Sequence, residues 1–159
     1  GTGMAHLFNY AGAPWLTQKW IRKVKAAYSD VTPYGGYRDD EDQGQMGALG
    51  VLMAIGLFEV DGGCAEKPFY EITSPLFDKV TIHLDNRYYP GKTFQIITVG
   101  NSADNMYIQR ASFNGKKWNK CWFYHEDFIK GGTLELQLGT TPNKKWGIEE
   151  FPPFLCVFR

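Results

Sequence analysis

The 159-residue sequence lacks several features that would assign it to a functional class at once. It has no excess of charge, because 17 basic side chains balance 17 acidic ones, so no overall field favours nucleic acid or an anionic membrane. It also lacks an apolar run long and glycine-free enough to predict a membrane span, and its first residues show no secretion signal. We therefore expect neither a nucleic-acid partner nor a membrane span.

Cysteine is scarce and shows no pattern. The three cysteines, Cys64, Cys121 and Cys156, are far apart and match no metal-ligand spacing. Their odd number leaves at least one thiol free in a single chain, and they do not indicate whether the protein is in an oxidising or a reducing compartment.

Aromatic residues, by contrast, make up 16 % of the sequence. This content favours packed sheets and surfaces on which sugar rings stack.

An acidic stretch is the most unusual feature of the sequence. Four consecutive carboxylates, residues 39–42, precede an apolar run that extends from Met46 to Val60. The uncharged stretch 44–58 predicts a helix, over about 43–58, that is buried on all sides. Asp42 then falls at its N-cap, where the helix dipole would keep it ionised. Asp40 lies two residues earlier, and its side chain can point the same way. The pattern alone favours a capping aspartate with solvated acidic neighbours over a catalytic pair.

The rest of the chain divides into a helical and a β-rich part. Apolar residues recur every fourth position from Leu16 to Tyr28, which predicts an amphipathic helix over 14–28. Its basic side chains are predicted to lie on the solvated outer face: Lys19, Arg22, Lys23 and Lys25. Asp61-Gly62-Gly63 breaks the chain. We predict helices in 1–60, with an acidic loop at 38–45, a β-rich region in 61–150 and a tail in 151–159.

Short β-rich runs alternate with turn residues in the second part. The predicted strands are Tyr70–Thr73, Lys79–Leu84, Thr93–Val99, Met106–Phe113, Lys120–Tyr124 and Thr133–Leu138. Asn114-Gly115 predicts a tight hairpin turn. The predicted fold class is α+β, with helices followed by a small antiparallel sheet or sandwich.

Six segments, taken together and in order, resemble glycoside hydrolase family 92, the exo-acting α-mannosidases. They are Asn9–Gln18 (NYAGAPWLTQ), Asp40–Met46 (DEDQGQM), Ser74–Val80 (SPLFDKV), Gly91–Phe94 (GKTF), Tyr107–Gln109 (YIQ) with Asn114–Lys116 (NGK), and Pro142–Gly147 (PNKKWG). The resemblance covers roughly residues 6 to 147. Gly47 and Leu49 depart from the serine and tryptophan that members often carry there.

The resemblance implies a larger enzyme. Members have an N-terminal β-sandwich and a catalytic (α/α)6 barrel, depend on calcium and release terminal α-linked mannose with inversion. The chain is then expected to hold the last barrel helices and the following β region, with the remainder of the parent chain as a partner and a mannose-containing glycan as substrate. The parent is expected to be exported, to the periplasm, the cell surface or the medium. The isolated piece is expected to be inactive and to self-associate or expose an apolar patch.

By the same resemblance, Asp42 and Asp40 are the catalytic residues that flank the attacking water, with Asp42 as the base. The family's general acid is a glutamate expected upstream, and the calcium ligands are expected mostly upstream as well, so none is assigned here. His6, His83 and His125 are interpreted as structural, and the tryptophans as packing residues. The competing hypotheses are a non-catalytic carbohydrate-binding or interaction module and a degenerate relic.

Overall fold

A computed structural model describes residues 2–28, 32, 36 and 44–153. The helical part starts with a 3₁₀ turn, Thr2–His6, and continues with α1 (Leu7–Tyr10), α2 (Pro14–Ala26) and α3 (Met46–Ile55). Pro14 stands at the first helical position of α2, where its fixed φ is compatible with the helix and its missing N–H costs nothing. The amphipathic helix predicted over 14–28 is therefore confirmed to within two residues.

Helix α3 is shorter and less buried than its sequence suggested. Gly44 and Gly56 both adopt left-handed backbone conformations, with φ of 70° and 81°, and these bound the helix, which the sequence placed over about 43–58. Met53 and Ala54 are buried, whereas Val51 is 61 % exposed. Burial on all sides is thus wrong for this chain, because α2 and the 3₁₀ turn cover only one face of α3, around Ile21 and Ala5.

The β-rich part forms two sheets. The strands are β1 (Leu57–Phe58), β2 (Phe69–Ile72), β3 (Lys79–His83), β4 (Thr93–Val99), β5 (Tyr107–Phe113), β6 (Lys116–Lys117), β7 (Trp122–Tyr124) and β8 (Gly132–Gly139), with a one-turn helix α4 (His125–Phe128) after β7. One sheet has the order β1-β2-β7, and the other β3-β4-β8-β5-β6. All pairs are antiparallel except β4 with β8, which run parallel.

The main core lies between the two sheets. Phe123 on β7 stacks on Phe94 of β4 with ring centroids 5.6 Å apart, and both side chains are fully buried. Trp122 and Trp146 belong to the same core, as the sequence predicted for the tryptophans of this part. The α+β prediction is confirmed, with the parallel pair as the departure. That α2 and α3 are the last helices of an (α/α)6 barrel stays a prediction, as does the division at residue 60.

Candidate active site

The predicted catalytic residues, Asp40 and Asp42, lie outside the residues that the structure describes. The structure does describe the residues that come directly before and after this acidic segment, residues 29–43. In the chain, residues 29–43 come between Tyr28, two residues after the end of α2, and Gly44, two residues before the start of α3. The ring of Tyr28 lies 3.9 Å from the point where a Cβ on Gly50 would stand, so the end of α2 packs against α3. Both ends of the acidic segment are thus attached to one packed helix pair.

The sequence predicted Asp42 as the N-cap residue of α3, but that position is occupied by Gln45. The side chain of Gln45 forms no capping hydrogen bond, and Asp42 itself lies outside the described residues. Asp42 comes three residues earlier in the chain, and the left-handed Gly44 separates it from the helix. That the dipole of α3 keeps Asp42 ionised therefore stays a prediction. The assignment of Asp42 then depends on the acidic sequence and the family resemblance.

A buried carboxylate that the sequence analysis did not place at any site joins the helical part to the β part. Glu71 on β2 is fully buried. Its Oε2 lies 2.9 Å from Nδ1 of His6 and accepts a 2.5 Å hydrogen bond from Nδ2 of Asn9. The His6 ring also stacks on Phe58, with centroids 3.8 Å apart. His6 is therefore the structural core histidine that the sequence predicted.

Neighbouring groups respond to the charge of Glu71. Burial, and then the proximity of the Glu71 carboxylate, raise the pKa of Tyr10 well above its ordinary value of 10. The same two causes raise the pKa of the Cys121 thiol to about 12. Both groups therefore stay neutral near pH 7. Since Glu71 is sealed from solvent, this cluster can fix the helical part on the sheet but cannot meet a substrate.

A second pair of carboxylates follows β1. Burial, then the charge of Asp61 and a hydrogen bond with it, raise the pKa of Glu59 above its ordinary value. The backbone N–H of Gly63 donates to Oδ1 of Asp61 over 3.3 Å, so the pair sits in the turn that ends the helical part. The burial of Glu59 and its proximity to Asp61 therefore favour the protonated form of Glu59.

The other histidines and the tryptophans of α2 were also considered as site residues in the sequence, and each has a different environment in the structure. Nδ1 of His125 lies 3.0 Å from the Tyr70 hydroxyl, and His83 is an exposed residue of β3. Trp15 lies under the ammonium group of Lys144. Trp20 is 42 % exposed, so the helix packing predicted for it is incomplete in this chain.

Arg22 departs most from its predicted place. The sequence put it on the solvated face of α2, but its guanidinium is half-buried and donates hydrogen bonds to the loops that follow β2 and β4. Neither Arg22 nor Glu71 has a local sequence signal, because their partners are at least 50 residues away.

The resemblance implies a calcium site in the longer protein. Within 2–28, 32, 36 and 44–153, no group of three His, Cys, Asp or Glu side chains is arranged to hold a metal ion. Because calcium also binds carbonyl oxygens, the position of its ligands stays a prediction. In the same part of the chain, no helix has the length and apolar character needed to cross a bilayer.

Comparison with known proteins identifies the family. The sequence profile described as the glycosyl hydrolase family 92 catalytic domain matches residues 1–140. The chain belongs to this family. A family GH92 α-mannosidase from Bacteroides thetaiotaomicron superposes with a TM-score of 0.84 at 29 % identity, over 98 % of the chain and 20 % of that protein. A family GH92 inverting mannosidase from strain VPI-5482 of the same species superposes with a TM-score of 0.82 at 36 % identity, over 94 % of the chain and 20 % of that protein.

One curated relative is a fungal protein. An uncharacterized secreted glycosidase of Arthroderma benhamiae is 36 % identical over 154 residues, which are 94 % of the chain and 19 % of that protein. The family 92 chain thus spans about a fifth of the length of the relatives it matches. The resemblance noted in the sequence is confirmed, and the chain contains catalytic-domain sequence of a glycosidase family whose members include α-mannosidases.

Proposed function

We propose that this family 92 chain is part of an inverting exo-α-mannosidase that releases terminal mannose, α-1,2-linked, from mannose-rich glycans. The observation that supports the proposal most strongly is the catalytic-domain match over residues 1–140. The structural similarity to two mannosidases, one of them described as inverting, supports it further.

The reaction requires two carboxyl groups with different tasks. An inverting glycosidase uses one carboxylic acid to protonate the leaving oxygen and one carboxylate to activate water on the opposite face of the sugar, about 6.5–9.5 Å away. We assign the base to Asp42, and to Asp40 the orientation of the same water. Two residues so near in sequence attend one face of the ring. The acid must therefore come from elsewhere, and we place it outside these 159 residues.

Two consequences follow for the isolated chain. It holds a base without an acid, and it lacks most of the walls that would orient a sugar, so we expect no hydrolysis of mannosides by the chain alone. Calcium remains part of the proposal for the longer protein only, with its ligands outside the described residues. Export of the longer protein is also proposed, and the name of the secreted fungal relative supports it.

The partner of the helical layer is proposed to be the remainder of the longer protein. Met4, Leu7 and Val51 are 65 %, 55 % and 61 % exposed, although side chains of this type are usually buried. Full burial of one such side chain contributes about 1.5–3 kcal/mol of free energy. A partner that covers this surface is therefore favoured. In the isolated chain a second copy is the available cover, so we expect self-association.

The experiment is a substitution series in the longer protein. Asp42→Asn keeps the size of the side chain and removes its basicity, so the rate constant for mannobiose hydrolysis should fall by about 10²–10⁴-fold. Asp40→Asn should cost less, and Glu41→Gln is the matched control with a near-normal rate. Proton NMR of the first-formed sugar should show the β-anomer. Near-normal turnover by Asp42→Asn, or α-mannose as the first product, would contradict the proposal.

A further inference from the structure

Arg22 connects α2 to the two loops that follow β2 and β4. Its Nε donates to the backbone carbonyl oxygen of Ser74 over 3.1 Å and to Oγ of Ser74 over 3.0 Å. Its Nη2 donates to the carbonyl oxygen of Pro75 and, over 2.7 Å, to Oδ1 of Asn101. One guanidinium group thus contacts three residues that lie 52 to 79 positions away in sequence.

The loop that Arg22 contacts also caps the C-terminal end of α3. The N–H of Thr73 donates to the carbonyl oxygen of Gly56 over 2.8 Å, and the N–H of Leu76 donates to that of Ala54 over 2.9 Å. Gly56 and Pro75 are in such close contact that a Cβ on the glycine would lie 2.6 Å from the proline ring. These contacts satisfy carbonyl groups that a helix end leaves without partners. They also fix the end of α3 on the loop 73–76.

The contacts of Arg22 with the described residues are hydrogen bonds to neutral acceptors, not ion pairs. All its acceptors among the described residues are neutral oxygens, and burial lowers the pKa of the guanidinium. A half-buried cation without a carboxylate partner carries a desolvation cost. A planar fork of five donors is the group that can contact two loops at once, and a lysine ammonium cannot replace it. The hydrogen bonds at this position therefore require the planar guanidinium group of arginine.

We propose that Arg22 is a positioning residue for the hydrolysis: it ties α2 and α3, the helices that come before and after residues 29–43 in the chain, to one loop. The catalytic consequence rests on the proposed function of Asp42. Helix α3 has 10 residues and is about 15 Å long, so a tilt of about 5° at its anchored end moves its first turn by about 1 Å. A misplacement of about 1 Å can lower a rate by about 100-fold.

The test uses the longer protein with Arg22→Ala and Arg22→Lys. Arg87→Ala is the control, because Arg87 is an exposed arginine whose ion pair is with its neighbour Asp85. Arg22→Ala should lower kcat for mannobiose by about 10–100-fold and change KM by less than about 3-fold. Added guanidinium ion, at millimolar concentration and below the unfolding range, should restore part of kcat. Arg22→Lys should recover little, and Arg87→Ala should behave like the wild type.

Hydrogen exchange gives a readout that does not depend on activity. Amides of α3 and of loop 73–76 should exchange faster in both Arg22 variants, while those of β4 and β8 stay unchanged. Wild-type kcat with unchanged exchange in α3 would overturn the proposal. So would a loss of kcat that only follows the unfolded fraction and shows no guanidinium rescue. Should the wild-type protein fail to hydrolyse α-mannosides, the proposed function falls, and the exchange comparison alone decides whether Arg22 positions α3.

Discussion

The helical and β-rich parts of this family 92 chain differ in how completely they bury their apolar side chains. The β part encloses a core of 15 buried residues between two sheets. Among its described residues, the helical part encloses a cluster of three, Ala5, Ile21 and Met53, and leaves Met4, Leu7 and Val51 largely exposed. The β part therefore supplies most of the stability of the chain. The helical part, which holds the proposed catalytic segment, is the part whose packing is incomplete.

The β part therefore contributes most of the stability, whereas the proposed catalytic residues belong to the helical part. Loops and helices near a catalytic group are commonly positioned by a rigid scaffold rather than by their own packing. Here two polar links attach the thinly packed helices to the well-packed sheets. One is the buried link of Glu71 with His6 and Asn9, and the other is the half-buried link of Arg22 with loop 73–76. We expect these links to matter more than the apolar contacts within the helical part.

The largest expected effect is in the β core. Phe94→Ala removes a fully buried ring and should lower the free energy of unfolding by about 3–5 kcal/mol. Val51→Ala, on the exposed face of α3, is the control and should change it by less than about 0.5 kcal/mol. Urea unfolding followed by tryptophan fluorescence measures both. Equal costs at the two positions would remove the distinction between the parts.

The next effect concerns the link through Glu71. Glu71→Ala leaves buried donors on His6 and Asn9 without an acceptor, and should cost about 3 kcal/mol in the free energy of unfolding. Glu71→Gln keeps an acceptor oxygen and should cost less. Exchange of the α1 and α2 amides should rise more than that of the β4 amides. If Glu71→Ala loosened both parts alike, the carboxylate would not be a specific link between them.

A smaller effect is expected on association. Val51→Asp places a charge on the exposed face of α3 and should shift the isolated chain towards monomer without lowering its unfolding midpoint by more than a few degrees. Light scattering over a concentration series measures the shift. A wild-type chain that is monomeric at every concentration would contradict the expected self-association.

The smallest effect concerns pH. Because the pKa of folded Glu59 is raised above its ordinary value of 4.5, the folded state binds this proton more tightly than the unfolded state does. Stability from this group is present below about pH 4.5 and is lost as the pH rises through the folded pKa. Glu59→Gln should therefore slightly stabilise the chain near pH 7. It should also make the free energy of unfolding, measured by urea unfolding at a series of pH values, depend less on pH in this range. An unchanged profile would show that Glu59 does not titrate differently on folding.

Local patterns predicted most of the elements. The strand over 93–99 was predicted to the residue, and the hairpin at Asn114-Gly115 is confirmed by positive φ at both residues, 50° and 76°. Alternation and turn residues encode such features within a few positions. The parallel pairing of β4 with β8 was not predicted, because it joins strands far apart in the chain.

The misses in the helical part have a physical origin as well. The uncharged run 44–58 predicted a long buried helix, but glycine at both ends adopts left-handed conformations that stop it. The inward turn of Arg22 and the burial of Glu71 depend on partners from other elements, which no periodicity in one segment reveals. For the catalytic site itself, Asp40 and Asp42 came from the acidic sequence and the family resemblance, and their roles stay predictions.

The most direct test of the account is the activity of the isolated 159-residue chain. The purified chain, with calcium present, would be incubated with α-linked mannobiose and with an aryl α-mannoside, whose good leaving group needs little help from an acid. We predict no turnover of mannobiose, because the chain contains the proposed base, whereas the acid is proposed to lie outside these residues. Turnover of mannobiose that disappears in Asp42→Asn would show that a complete site exists within these residues and would contradict the account.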